Sequence, residues 1–148
     1  MGFADLSLDG SMALPLPGTG AWKSYTPTIS GWTQGNGTPN GAYTQIGKVV
    51  FFWCNFSVGS TTVFGSLDMG LPVTANASAV GRQLQGTLLD TSAGVRYFSI
   101  GRIASTTTFT AFCMVAGSAG QYALLTSTTP FTWEVSDIPA FYGFYEAA

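Results

Sequence analysis

The sequence predicts an all-β fold: an antiparallel β-sandwich, jelly-roll-like, with an extended N-terminal arm. Three observations predict it. From Trp22 onward, runs of β-branched and aromatic residues are separated by Gly/Ser/Thr/Asn clusters at the spacing of sandwich strands. No stretch of useful length carries a helical apolar period with caps. The opening segment, MGFADLSLDGSMALPLPGTG, is too short and too broken by proline and glycine to form its own core. The 148 residues therefore divide into an arm, 1–20, and one domain, 21–148. A domain of this size hides roughly 68–70% of its unfolded surface, so it needs neither metal nor disulfide to hold together.

In chain order the arm comes first. Leu6 and Leu8 alternate, and the prolines of Leu14-Pro15-Leu16-Pro17 bias the chain toward extended or polyproline geometry. Gly18-Thr19-Gly20 reads as a joint. Phe3, Leu6, Leu8, Met12, Leu14 and Leu16 are spaced apolar residues that such a segment cannot bury internally. Two readings stand, a frayed terminus or an arm that orders on a partner. The second is carried forward as the expectation.

Residues 22–29 read as a strand in which Pro27 marks an edge or a bend. Residues 35–41 are dense turn chemistry. A short strand at 42–46 follows, and Gly47-Lys48 leads into the most apolar run, 49–56. Further strands are expected at 82–89, 95–103, 107–115, 122–126 and 138–145, with at most a single helical turn at 130–134.

The strand faces carry more information than the strand positions. A sheet with one wet face alternates apolar with polar residues. Residues 49–56 do not. Val50, Phe52, Cys54 and Phe56 make one face, while Val49, Phe51 and Trp53 make the other apolar as well. Residues 107–115 repeat this, with Phe109, Ala111, Cys113 and Val115 opposite Phe112 and Met114. The last strand sets Ile138, Ala140, Tyr142 and Phe144 against Phe141 and Tyr145. One face fills the sandwich. The other is covered either by loops over a larger core or, more economically, by another copy of the chain. Self-association is accordingly expected through Phe51, Trp53, Phe112 and Met114.

Composition points the same way. Charged residues make up 8% of the chain, against about 25% in an average soluble domain. With 46% hydrophobic residues this excludes a disordered tail. A net charge of −2 gives little colloidal repulsion, which suits an assembled protein. The five basic residues, Lys23, Lys48, Arg82, Arg96 and Arg102, are scattered and outnumbered by seven acids, so no nucleic-acid partner is expected. No apolar run approaches the length of about 18 residues that a membrane helix requires, so no membrane insertion is expected either. The N-terminus carries acids where a signal peptide carries bases, and synthesis in a cytoplasm is expected. There Cys54 and Cys113 would remain thiols, packed as small hydrophobes.

The chain contains no histidine. That removes the usual general base, the Ser-His-Asp and Cys-His arrangements, and most zinc sites. The acids Asp5, Asp9, Asp68, Asp90, Glu134, Asp137 and Glu146 are well separated, and Glu134 with Asp137 is the closest pair in the folded part. Nothing marks the two carboxyls of a sugar-cleaving cleft. Gly117-Ser118-Ala119-Gly120 lacks the lysine and the strand–loop–helix setting of a phosphate loop. No enzymatic activity, metal or cofactor is expected.

Several segments taken together carry a resemblance. They are Trp22 with Ser24-Tyr25-Thr26-Pro27-Thr28, then Gly35-Asn36-Gly37-Thr38, then the run from Gly41 to Val50. Gly59-Ser60-Thr61-Thr62 with Phe64-Gly65, Leu71-Pro72-Val73-Thr74-Ala75, Pro130-Phe131-Thr132-Trp133 and the closing Tyr145-Glu146-Ala147-Ala148 complete them. In this order and spacing, from Trp22 to the end, the chain resembles a β domain of tail, fibre and head-decoration proteins of phages infecting actinobacteria. The resemblance implies a non-enzymatic virion structural protein, often trimeric, assembled in the host bacterial cytoplasm. Arm plus knob looks like a capsid decoration or head-fibre protein whose arm grips the major capsid protein or another virion protein. The alternatives are a minor tail or fibre-tip protein that binds a host-surface glycan, and a free carbohydrate-binding jelly roll. Trp32 and Phe64 would serve these two if exposed at loop tips.

Overall fold

The computed structural model describes residues 20–114 and 120–148. The arm residues Phe3, Leu6, Leu8, Met12, Leu14 and Leu16 lie outside them, as does Val115. The described residues form ten strands: β1 Lys23–Tyr25, β2 Ile29–Ser30, β3 Thr38–Ile46, β4 Val49–Ser57 and β5 Asp68–Gly70. After one 3₁₀ turn at Ala77–Ala79 come β6 Gln83–Asp90, β7 Val95–Ile103, β8 Thr108–Met114, β9 Tyr122–Leu124 and β10 Ile138–Glu146. The strands make a single sheet in the order β1-β3-β4-β10-β6-β7-β8-β5-β2, with β9 paired to β8. Every pairing is antiparallel.

The sheet curls until its two ends nearly meet. β1 and β2 close opposite ends of the path, yet only Thr26, Pro27 and Thr28 separate them in the chain. Four residue steps span at most about 14 Å, whereas nine strands laid flat would be roughly 38 Å wide. The segment expected as one strand at 22–29 is thus two, split at the buried Pro27 into the two edges. Across the interior, Phe52 of β4 lies 6.2 Å from Phe109 of β8, and Phe109 lies 5.1 Å from Phe141 of β10. The architecture is all-β and sandwich-like, with the two layers supplied by halves of one sheet.

The inward positions are those of the alternation. Val50, Phe52, Cys54 and Phe56 are buried, as are Phe109, Ala111 and Cys113, and Phe141 and Tyr145. Two large rings fit because their neighbours have no side chain. A Cβ on Gly86 would stand 2.5 Å from the Phe141 ring, and one on Gly101 would stand 2.7 Å from the Phe109 ring.

Several expectations need correction. β3 begins at Thr38 rather than at residue 42, because nine consecutive residues pair with β4 and carry Asn40-Gly41 into the ladder. β5 was not anticipated: three residues give no period to read. β9 stops at Leu124. Residues 130–134 make no helical turn. Instead Trp133 packs 4.4 Å from Phe131 and 5.0 Å from Trp32, and its backbone N–H donates to Ser127 O. That tertiary contact outweighs any local helical preference.

Candidate assembly face

Because side chains alternate along a strand, filling the interior fixes what the other side presents. The outward residues of β4 are Val49, Phe51 and Trp53, and those of β10 include Tyr142 and Phe144; all are exposed. Antiparallel register aligns them with outward residues of the next strands. Trp53 pairs with Tyr142, Tyr142 with Gln85, Gln85 with Ile100, Ile100 with Phe112, and Phe112 with Leu124. One row thus crosses six strands, from β4 to β9, but its exposed apolar members stand at the two ends, Trp53 and Tyr142 at one and Leu124 at the other, with Gln85 polar and Ile100 buried between them. A second row sets Thr44 beside Phe51 and Phe51 beside Phe144. The rings of Phe51 and Phe144 lie 5.9 Å apart, and Phe144 is 68% exposed.

Of the residues expected to mediate self-association, Phe51, Trp53 and Met114 are exposed. Phe112 is half-buried, and the Arg102 guanidinium lies over its ring at 5.3 Å. β4 and β8 face each other across the core, with Phe52 6.2 Å from Phe109. Phe51 and Trp53 therefore lie on the outside of one layer and Phe112 and Met114 on the outside of the other, and the four do not form one patch. Tyr142 and Phe144 were not singled out, although the period-two pattern of the last strand already separates them from the buried Phe141 and Tyr145. Trp22, Phe98 and Leu124 are likewise exposed.

Two depressions flank the β10 residues Tyr142 and Phe144. One, of about 400 Å³, is bounded by Trp22, Thr44, Phe51, Trp53, Tyr142 and Phe144. The other, of about 660 Å³, lies on the β6 side. There Arg82, Gln83, Gln85 and Glu146 join the two aromatics, and the Arg82 Nε donates to Ser78 O at 3.3 Å.

The remaining chemistry is structural. Asp137 is fully buried; its Oδ1 accepts from the Thr91 N–H and hydroxyl at 2.9 Å each, and its Oδ2 from the Glu134 N–H at 2.6 Å. The Glu134–Asp137 pair is thus a turn clamp. Burial pushes the Cys54 thiol up to about 12 and raises Cys113 as well. Neither thiol is a thiolate at neutral pH. Among the described residues no group of three or more His, Cys, Asp or Glu is placed to hold a metal ion. No helix among them is long and apolar enough to cross a membrane.

Trp32 does not stand at a loop tip for a ligand. It is 4% exposed, donates its Nε1–H to Gly65 O at 2.6 Å, and packs edge-on against Phe64 and Trp133. Phe64 is half-buried in the same cluster. The turn segments quoted for the resemblance meet in space: Asn36 Oδ1 accepts from the Thr61 N–H, and the Tyr145 hydroxyl donates to Val73 O. A scan of protein-family models, a search of curated proteins and a search of solved structures returned no match to this chain.

Proposed function

We propose that this chain is a non-enzymatic structural protein of a bacteriophage virion, a trimer whose copies meet through the outer face of the sheet. The observation that carries the self-association is the exposed apolar side chains outside the core, Phe51, Trp53, Tyr142 and Phe144 on β4 and β10 and Met114 and Leu124 on β8 and β9. Apolar surface of that extent, on a domain with so few charges, is stabilised by covering it with another protein surface. The virion assignment and the threefold state are supported by the resemblance of the segments from Trp22 to the C-terminus. In this reading the arm fastens the trimer to the major capsid protein or another virion protein, as a decoration or head fibre.

The groove beside β6 favours a second reading, a tail or fibre-tip protein that binds a host-surface glycan. Tyr142 and Phe144 offer ring faces to sugar C–H groups, and Arg82, Gln83, Gln85 and Glu146 offer planar hydrogen-bonding groups beside them. Imaging of the labelled protein on purified particles separates the two. Dense knobs over the head are expected. A few copies at the tail end, with binding to host cell-wall glycans, would replace decoration by the second reading, and absence from particles would overturn both.

A further inference from the structure

The apolar depression on the β1–β4–β10 side has an occupant close at hand in the chain. Gly20 is held beside it: the Thr44 hydroxyl donates to Gly20 O at 2.9 Å, and Thr44 lines the depression. Trp22, 56% exposed, forms its near wall, and Phe51, Trp53, Tyr142 and Phe144 form the rest. The chain that precedes Gly20 contains Leu14-Pro15-Leu16-Pro17, three to six residues away. At about 3.1–3.3 Å per residue that segment reaches roughly 10–20 Å from Gly20. The far wall, on β10, lies three strand spacings from β1, or roughly 14 Å. The reach and the width agree.

The chemistry agrees as well. Aromatic-lined grooves take proline-rich segments because the preset backbone loses little entropy on binding, and ring faces pack well against pyrrolidine and leucine. A short tether keeps the segment at a high effective concentration beside the groove.

We infer that Leu14-Pro15-Leu16-Pro17 packs into this groove of its own chain, over Phe51 and Phe144. The inference goes beyond the virion reading and does not rest on it. It assigns Leu14 and Leu16 to the domain and leaves Phe3, Leu6, Leu8 and Met12 for an external partner. The outside of β8 and β9, with Phe112, Met114 and Leu124, stays open to a second copy.

The test uses the full chain carrying Leu16→Cys labelled with bimane, a dye that tryptophan quenches on contact. Cys54 and Cys113 are buried and remain unlabelled in the folded protein. Emission is expected to be strongly quenched and independent of dilution. It should recover to that of the free dye when Trp22→Phe and Trp53→Phe are combined, both being exposed positions that the fold tolerates. A bright label in the unsubstituted background overturns the inference. So does quenching that survives the double substitution, or quenching that fades on dilution, which would place the segment in the groove of another copy.

Discussion

Asp137 is the residue on which the approach to β10 depends. Its carboxylate satisfies two backbone N–H groups, those of Thr91 and Glu134, in a place that excludes water. It follows Ser136, whose φ of 75° lies in the left-handed region. Asp137→Ala strands both donors, and an unsatisfied buried donor costs about 1–3 kcal/mol. Urea unfolding is expected to show a loss of about 2–4 kcal/mol, and a loss within error would mean that water replaces the carboxylate. Titration of the buried acids acts at the other end of the pH scale. Desolvation lifts both Cys54 and Tyr145 to about 12, from ordinary values of 9.0 and 10.0. The unfolded chain therefore releases these protons first. Their contribution is fully present below about pH 9 and is lost as pH rises toward about 12. The thermal midpoint should fall over that window, less steeply in Tyr145→Phe. That variant also loses the bonds of the Tyr145 hydroxyl to Val73 N and O. A midpoint flat to pH 11 contradicts the assignment.

At the scale of elements, period-two spacing made the two faces of β4, β8 and β10 legible, because each is long enough to show both. It also separates inner Phe141 and Tyr145 from outer Tyr142 and Phe144. What escaped was decided by partners distant in sequence. β3 accepts Asn40-Gly41, residues of turn chemistry, because β4 offers nine consecutive pairing positions. Pro27 sends β1 and β2 to opposite edges, a separation no local pattern encodes. The row from Trp53 to Leu124 likewise exists only through register between six strands. The arm is an element of a different kind. Burying a leucine contributes roughly 1.5–3 kcal/mol, and ordering each backbone residue opposes this by about 1–2 kcal/mol. A chain starting at Gly20 is therefore expected to unfold cooperatively, less stable than full length by under about 2 kcal/mol. A larger loss, or a broadened transition in a thermal melt, would make the arm part of the core.

For the whole molecule, the closure of the sheet decides how copies can meet. Strands left at an edge invite pairing, but here β1, β2 and β9 are three, two and three residues long. Edge-to-edge addition has little to hold, and the exposed apolar residues outside β4 and β10 and outside β8 and β9 are the larger resource. Met114 lies on the outside of β8, in the layer opposite β4 and away from the groove lined by Trp22 and Phe144, so it reports on association between copies without disturbing the arm. A buried, unpaired aspartate at an interface costs several kcal/mol, while at an exposed position of one copy it costs little. The most direct measurement is the mass of the full-length protein by light scattering at micromolar concentration, beside Met114→Asp. The account predicts three chain masses for the first and one for the second, with the same β-rich circular dichroism in both. A single-chain mass for the unsubstituted protein under those conditions would contradict it.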